Sequence, residues 1–196
     1  MTQKHAIERA DLLSMDDYGT VRADWRRKMT AIKRNRRIEV GPFVTFYFEN
    51  WQTMWHQIHE MLFIERGGEG QIEDELTAYN PLVPQGRDLS ATFMIEIDDP
   101  DRRKRMLLRL GAIEESVFLK FGEHTIPGTP EIDQDRTSAE GKASSVQFVH
   151  FHFTPEQITA FRAAASQVTI GFNHPNYGHM AVLPDATRSE LAADFD

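Results

Sequence analysis

The chain contains no cysteine. That absence removes disulfides, thiolate nucleophiles, iron–sulfur clusters and thiolate-ligated zinc together, and it suits a reducing compartment. No apolar run approaches the ~18 residues that a membrane-spanning helix needs. The opening MTQKHAIERADLL also lacks the apolar stretch and small-residue cleavage site of a secretory signal, so the expectation is a cytoplasmic protein with no membrane partner. No glycine-rich loop of the GxGxxG or GxxxxGK type occurs, which argues against a doubly wound nucleotide-binding sheet. The HExxH and HxxEH signatures of zinc hydrolases are missing, as is the Glu-x-x-His pair of di-iron bundles.

What is present is an ordinary globular composition: 196 residues, 40% hydrophobic and 27% charged, with a formal net charge of −8. A chain of this length buries about 70% of the surface its unfolded form exposes, so residues 1–196 read as a single domain that needs no staple. Tyr18, Val21, Trp25, Met29 and Ile32 recur at helical spacing, giving a helix from Ser14 to about Arg36 within an N-terminal helical segment, residues 1–37. Ile38 to Phe48 is rich in β-branched and aromatic residues around a Gly41-Pro42 turn and reads as strand. Helices follow from Trp51 and through Ile72, Leu76 and Tyr79, the latter stopping before Pro81. Strands are expected at 90–97, 116–121, 146–153, 168–172 and 180–183, and helices at 100–110, 155–165 and 187–195. The tract 125–145 lacks periodicity and reads as an exposed loop. Short connections between strands favour antiparallel neighbours. The predicted class is therefore α+β, a mainly antiparallel sheet packed with several amphipathic helices.

The helix WQTMWHQIHEMLFIE carries the sharpest chemistry. At about 100° per residue, Met54, Trp55, Ile58, Met61 and Leu62 share one sector, and Glu65 falls inside it. A carboxylate on a buried face must be paired, hydrogen-bonded, protonated or bound to something. The choice lies between a structural carboxylate and an acid/base or metal ligand. On the opposite half, His56, His59 and Glu60 stand three and four residues apart, donors suited to Fe, Mn or Zn, but a solvated face with two exposed histidines is the expected reading. The turn Asn173 to His179 offers His174 and Tyr177 on a rigid bend, either as proton-transfer groups or as a plain hairpin. His150 and His152 share one face of a strand, where hydrogen-bonded histidines on a half-buried sheet are expected over a chelate.

Charge is unevenly placed. Arg22, Arg26, Arg27, Lys28, Lys33, Arg34, Arg36 and Arg37 against Asp24 give +7 for residues 22–37, leaving −15 elsewhere. An acidic chain lacks the general attraction to phosphate, so nucleic acid is a disfavoured partner, and this basic helix suits an acidic protein surface or pairing within the fold. Arg26 and Arg34 are candidate contact residues on it. A homo-oligomer is compatible with the same surfaces.

The segments IEVGPFVTFYFEN, QIHEMLFIE, EDELTAYNPLVP and FNHPNYG, in this order and spread over nearly the whole chain, resemble the bacterial domain of unknown function family 3501. Its corresponding blocks read approximately QEMLRxE, DELxAYNPLxP and HPxY; Phe63 stands where that family often has a basic residue. The resemblance directs attention to Gln57, Glu60, Glu65, Asn80, Pro81, His174 and Tyr177. It also implies a redox setting, because genes of the family often adjoin those for rubrerythrin and an iron–sulfur oxidoreductase. Two functions are thus expected to compete. One is a non-catalytic accessory protein that binds a partner in that redox system through the basic helix and the Trp51 helix. The other is a mononuclear metal or acid/base enzyme using Glu65, His174 and Tyr177, which requires Glu65 and His174 to meet in a shielded site.

Overall fold

The structure, a computed structural model, describes residues 4–131, 141–163 and 167–196. Helix α1 (Met15–Arg34) opens at Ser14, whose hydroxyl accepts the Asp17 amide; Asp16 and Asp17 sit in the first turn and Lys33 and Arg34 in the last, matching the helix dipole. Strands β1 (Arg37–Val40) and β2 (Val44–Glu49) form a hairpin about Gly41, whose φ of +71° belongs to the region glycine favours. Helix α2 (Trp51–Glu65) begins at a reciprocal cap. Asn50 accepts the Thr53 amide, and the Asn50 amide donates to the Thr53 hydroxyl, each at 2.9 Å. Helix α3 (Glu69–Tyr79) gives way to a tight turn at Asn80–Leu82, where Pro81 ends α-helical geometry.

Strand β3 (Asp88–Ile95), helix α4 (Pro100–Leu107), strands β4 (Val117–Phe121), β5 (His124–Pro127), β6 (Thr129–Pro130) and β7 (Val146–His152) follow. Helix α5 (Pro155–Arg162), strands β8 (Val168–Phe172) and β9 (Met180–Val182) and helix α6 (Asp185–Ala192) complete the order. One sheet has five strands in the order β1-β2-β3-β7-β6 and the other four in the order β5-β4-β8-β9. Among the described residues every pairing is antiparallel. The chain is an α+β protein, as its alternation of short turns and amphipathic helices predicts. Among the described residues no helix is long and apolar enough to cross a membrane.

The expected loop at 125–145 needs correction. Residues 124–127 pair with β4 and Thr129–Pro130 pair with β7, while 132–140 lie outside the described residues. The prolines hid these strands, yet both β5 and β6 are edges, where a missing amide hydrogen breaks no ladder. The ends expected for the helices at 155–165 and 187–195 also shift, the latter helix starting earlier, at Asp185, and residues 164–166 lie outside the described residues.

The main core lies between the sheets. Phe46 of β2, Phe93 of β3 and Phe172 of β8 meet with ring centroids 5.1–5.4 Å apart, joining one sheet to the other. Period-two alternation sends Glu49, Ser90, Thr92 and Phe148 to the opposite side of the five-stranded sheet. There a second apolar cluster, including Ile7, Tyr18, Trp55, Ile58, Leu62 and Leu82, packs with Phe148. The buried Glu49 carboxylate on this side accepts hydroxyl hydrogens from Thr53 and Thr92 at 2.7 and 2.8 Å, which satisfies it without a cation.

Candidate functional site at the seam of α1 and α2

The polar side of α2 is not open to water, because α1 and the N-terminal stretch lie over it. Tyr18 is fully buried, His59 has no exposure and His56 keeps 8%. Tyr18 donates its hydroxyl to Glu60 Oε1 at 2.8 Å, so its oxygen accepts Nδ1–H of His56 at 3.0 Å. Arg22 grips both Glu60 oxygens at 2.8 Å, a bidentate charge-assisted pair. The Arg22 hydrogen bonds hold the Glu60 carboxyl down at about 2, against the opposing effect of burial. Burial, then Glu60, pushes the Tyr18 phenol well above its usual range. Burial also lowers the pKa of His56; Glu60 opposes this, while the nearby cations Lys33, Arg22 and Arg26 add to it. The seam therefore holds a neutral imidazole, a neutral phenol and an ion pair, each answering another.

His59 is committed at both nitrogens. The Leu13 amide donates to Nε2 at 3.0 Å, so the ring hydrogen sits on Nδ1 and is given to the Trp55 carbonyl at 2.7 Å. Its ring lies against Trp55 and Tyr18, with centroids 3.8 and 4.7 Å away, and burial lowers its pKa. Trp55 in turn donates Nε1–H to the Asp11 carbonyl, and Trp51 donates to that of Ala6, both at 2.9 Å. Trp51, Trp55 and His59, at i, i+4 and i+8, form one row that fastens the N-terminal stretch. The solvated-face reading of His56 and His59 fails because a helix wheel shows which residues share a face, not what covers that face. Of the proposed metal trio, His59 has no free lone pair and Glu60 is held by Arg22 and Tyr18. Among the described residues no group of three or more His, Asp or Glu is arranged to hold a metal ion.

The remaining predicted residues do not form one site. Glu65 is exposed, not buried; its Oε2 accepts from Gln71 at 2.7 Å. The last turn of α2 overhangs the core, as the 63% exposure of Ile64 also shows, and the helix ends at Arg66 in the left-handed region. His174 is half-buried in the turn between β8 and β9, where its Nε2 lies 3.2 Å from the Gly111 carbonyl and its Nδ1 accepts the Asn176 amide. No contact of either residue involves the other. Tyr177 is buried and donates its hydroxyl to the Val40 carbonyl at 2.7 Å, tying this turn to the β1–β2 hairpin; burial raises its pKa. Gln57 is half-buried beside the Tyr79 phenol. Asn80 clamps the backbone of Ile7, while Arg26 and Arg34 are exposed on α1.

His150 is half-buried, 2.7 Å from Glu131 and 3.8 Å from Asp88; burial opposes its charge, but these two carboxylates outweigh it and raise the pKa. Its ring stacks on that of His152, with centroids 6.1 Å apart, so the hydrogen-bonded reading of this pair describes His150. Sequence reasoning missed the roles of Tyr18, Asp88 and Glu131. Only the i, i+4 spacing of Tyr18 and Arg22 gave a signal, and it needed Glu60 opposite to be read.

Two packed antiparallel sheets, with one outer face under a helical layer and a laced N-terminal stretch, define an α+β protein whose polar groups converge on the α1–α2 seam. The chain belongs to the family described as Protein of unknown function (DUF3501), which matches residues 6–195. A crystal structure of a novel protein of unknown function from Burkholderia pseudomallei is similar to it, with 33% identity and a TM-score of 0.90, covering 97% of this chain and 100% of that one. No curated protein matches the chain.

Proposed function

We propose that this protein is a non-catalytic, partner-binding accessory of a cytoplasmic redox system and that the exposed face of α1 meets an acidic protein surface. The observation that carries this reading is the fate of the basic helix. Arg22 pairs with Glu60, Arg27 with Asp24, Arg36 with Asp194 and Arg37 with Glu39. Arg26, Lys28, Lys33 and Arg34 have no ion pair among the described residues, and all but the half-buried Lys33 are exposed. Cations concentrated on one side of an acidic protein speed and orient association with a surface of opposite sign.

The redox assignment rests on the gene neighbourhood that the family resemblance implies. It is tested by titrating the purified protein against the rubrerythrin and the iron–sulfur oxidoreductase of its own cell. Binding that weakens as salt rises, and that Arg26→Glu with Arg34→Glu abolishes, supports the reading. No binding to either protein at low salt overturns it.

A further inference from the structure

The stretch from His5 to Leu13 is held in an unusual way: side chains of the body grip its backbone. Gln85 Nε2 donates to the His5 carbonyl at 2.8 Å and Trp51 to that of Ala6 at 2.9 Å. Asn80 takes both polar groups of Ile7, accepting its amide at 2.7 Å and donating to its carbonyl at 3.0 Å. Trp55 donates to the Asp11 carbonyl and His59 accepts the Leu13 amide. Just one side chain of the stretch is buried. Ile7 keeps 2% exposure in the cluster with Trp55, Ile58 and Leu82, whereas Ala6, Glu8, Arg9 and Ala10 are exposed. Main-chain bonds for affinity with one apolar pocket for selectivity is how proteins bind extended peptides of loosely defined sequence. A cleft of about 770 Å³ lies between Arg9, Leu12 and Leu13 of this stretch and Leu62, Phe63 and Ile72 of the body.

We propose that the face formed by Trp51, Trp55, His59, Asn80 and Gln85 is a peptide-binding surface. The chain's own residues 5–13, which make one 3₁₀ turn at Arg9–Asp11, occupy it in cis, and a segment of a protein partner with a branched aliphatic residue at the Ile7 position takes their place. This deepens the partner-binding reading by naming the kind of segment bound. The tethered stretch competes at an effective concentration on the order of millimolar, so the closed state weakens any incoming segment by the fraction of time the surface is covered. Asn80 gives the surface its register, because it answers the amide and the carbonyl of a single residue.

The test uses the full chain and a fluorescent synthetic peptide of residues 4–13, KHAIERADLL, read by anisotropy. Ile7→Asp removes the anchor in cis, and Ile7→Ala does so more mildly should the charged variant fail to fold. Amide hydrogen exchange at residues 6–13 is expected to quicken about tenfold or more in the loosened chain, with the rest of α2 protected, and the peptide to bind that chain about tenfold more tightly than the unaltered one. Adding Asn80→Ala, or placing Ile7→Asp in the peptide, is expected to abolish the gain. Unchanged exchange in both variants overturns the proposal by denying Ile7 its anchoring role; a loosened stretch with no peptide binding overturns it by denying the surface. Failure to bind the redox proteins, with peptide exchange intact, overturns the acidic-partner reading alone.

Discussion

The backbone amide of Leu13 donates to Nε2 of His59 at 3.0 Å, so attachment of the N-terminal stretch depends on that imidazole being neutral. Protonation would set two N–H groups against each other in a site with no exposure. Burial lowers the folded pKa below the ordinary value of 6.5, and it does the same for His56. The stabilisation from both is therefore full above about pH 6.5 and declines as pH falls through that value. Protection factors at residues 6–13, with the intrinsic pH dependence of amide exchange divided out, should fall between about pH 6.5 and 5, and His59→Gln, which cannot titrate, should flatten that response. His150 has the opposite sign: its raised pKa contributes below about pH 6.5 and is lost as pH rises through the folded value.

Glu60 links α1 to α2 through Tyr18 and Arg22. Glu60→Gln leaves the Arg22 guanidinium without its counter-charge, so the urea midpoint should fall. Because the Glu60 pKa is held at about 2 in the fold, against an ordinary 4.5, its contribution is present above about pH 4.5 and disappears as pH falls toward 2. Acid titration of Glu60→Gln should lack that component of the unfolding curve.

Gly41 cannot be replaced cheaply. Its φ is +71°, and a Cβ there would lie 2.6 Å from the Tyr177 hydroxyl, which is already bonded to Val40. Gly41→Ala should destabilise by about 2 kcal/mol or more by thermal unfolding, through strain and loss of that hydrogen bond together. Tyr177→Phe should cost about 1–2 kcal/mol, since the Val40 carbonyl loses its side-chain donor.

Charge reversal on α1 should separate stability from association. Arg26→Glu and Arg34→Glu remove exposed groups with no ion pair among the described residues, so unfolding should move by no more than about 0.5 kcal/mol. Partner binding, read by titration at two salt concentrations, should fall sharply and lose most of its salt dependence.

Much of this architecture is legible in the sequence because apolar period and turn chemistry agree. The stripe Tyr18, Trp25, Met29 marks α1, the apolar sector from Met54 to Leu62 marks α2, and the strand at 168–172 is read residue for residue. The site is less legible because its meaning lies between elements. Glu65 has the right angle on its helix but sits past the edge of the core, whereas His56 and His59 have a polar angle and are covered. Residues 5–13 show no period: apart from the Glu8–Asp11 capped turn, their structure is imposed by Trp51, Trp55, His59 and Asn80, whose side chains hold the backbone.

Arg36, 1% exposed, spends its guanidinium on the Phe48 and Glu49 carbonyls and on the carboxylate of Asp194. During synthesis on the ribosome the helices and the first hairpin emerge long before residue 194. Until Glu190 and Asp194 have been made, this guanidinium lacks both carboxylates that answer it in the fold. Closing the β1–β2 hairpin over Arg36 is thereby coupled to the docking of residues 190–194, two segments more than 140 residues apart that must come together for one interior charge to be answered.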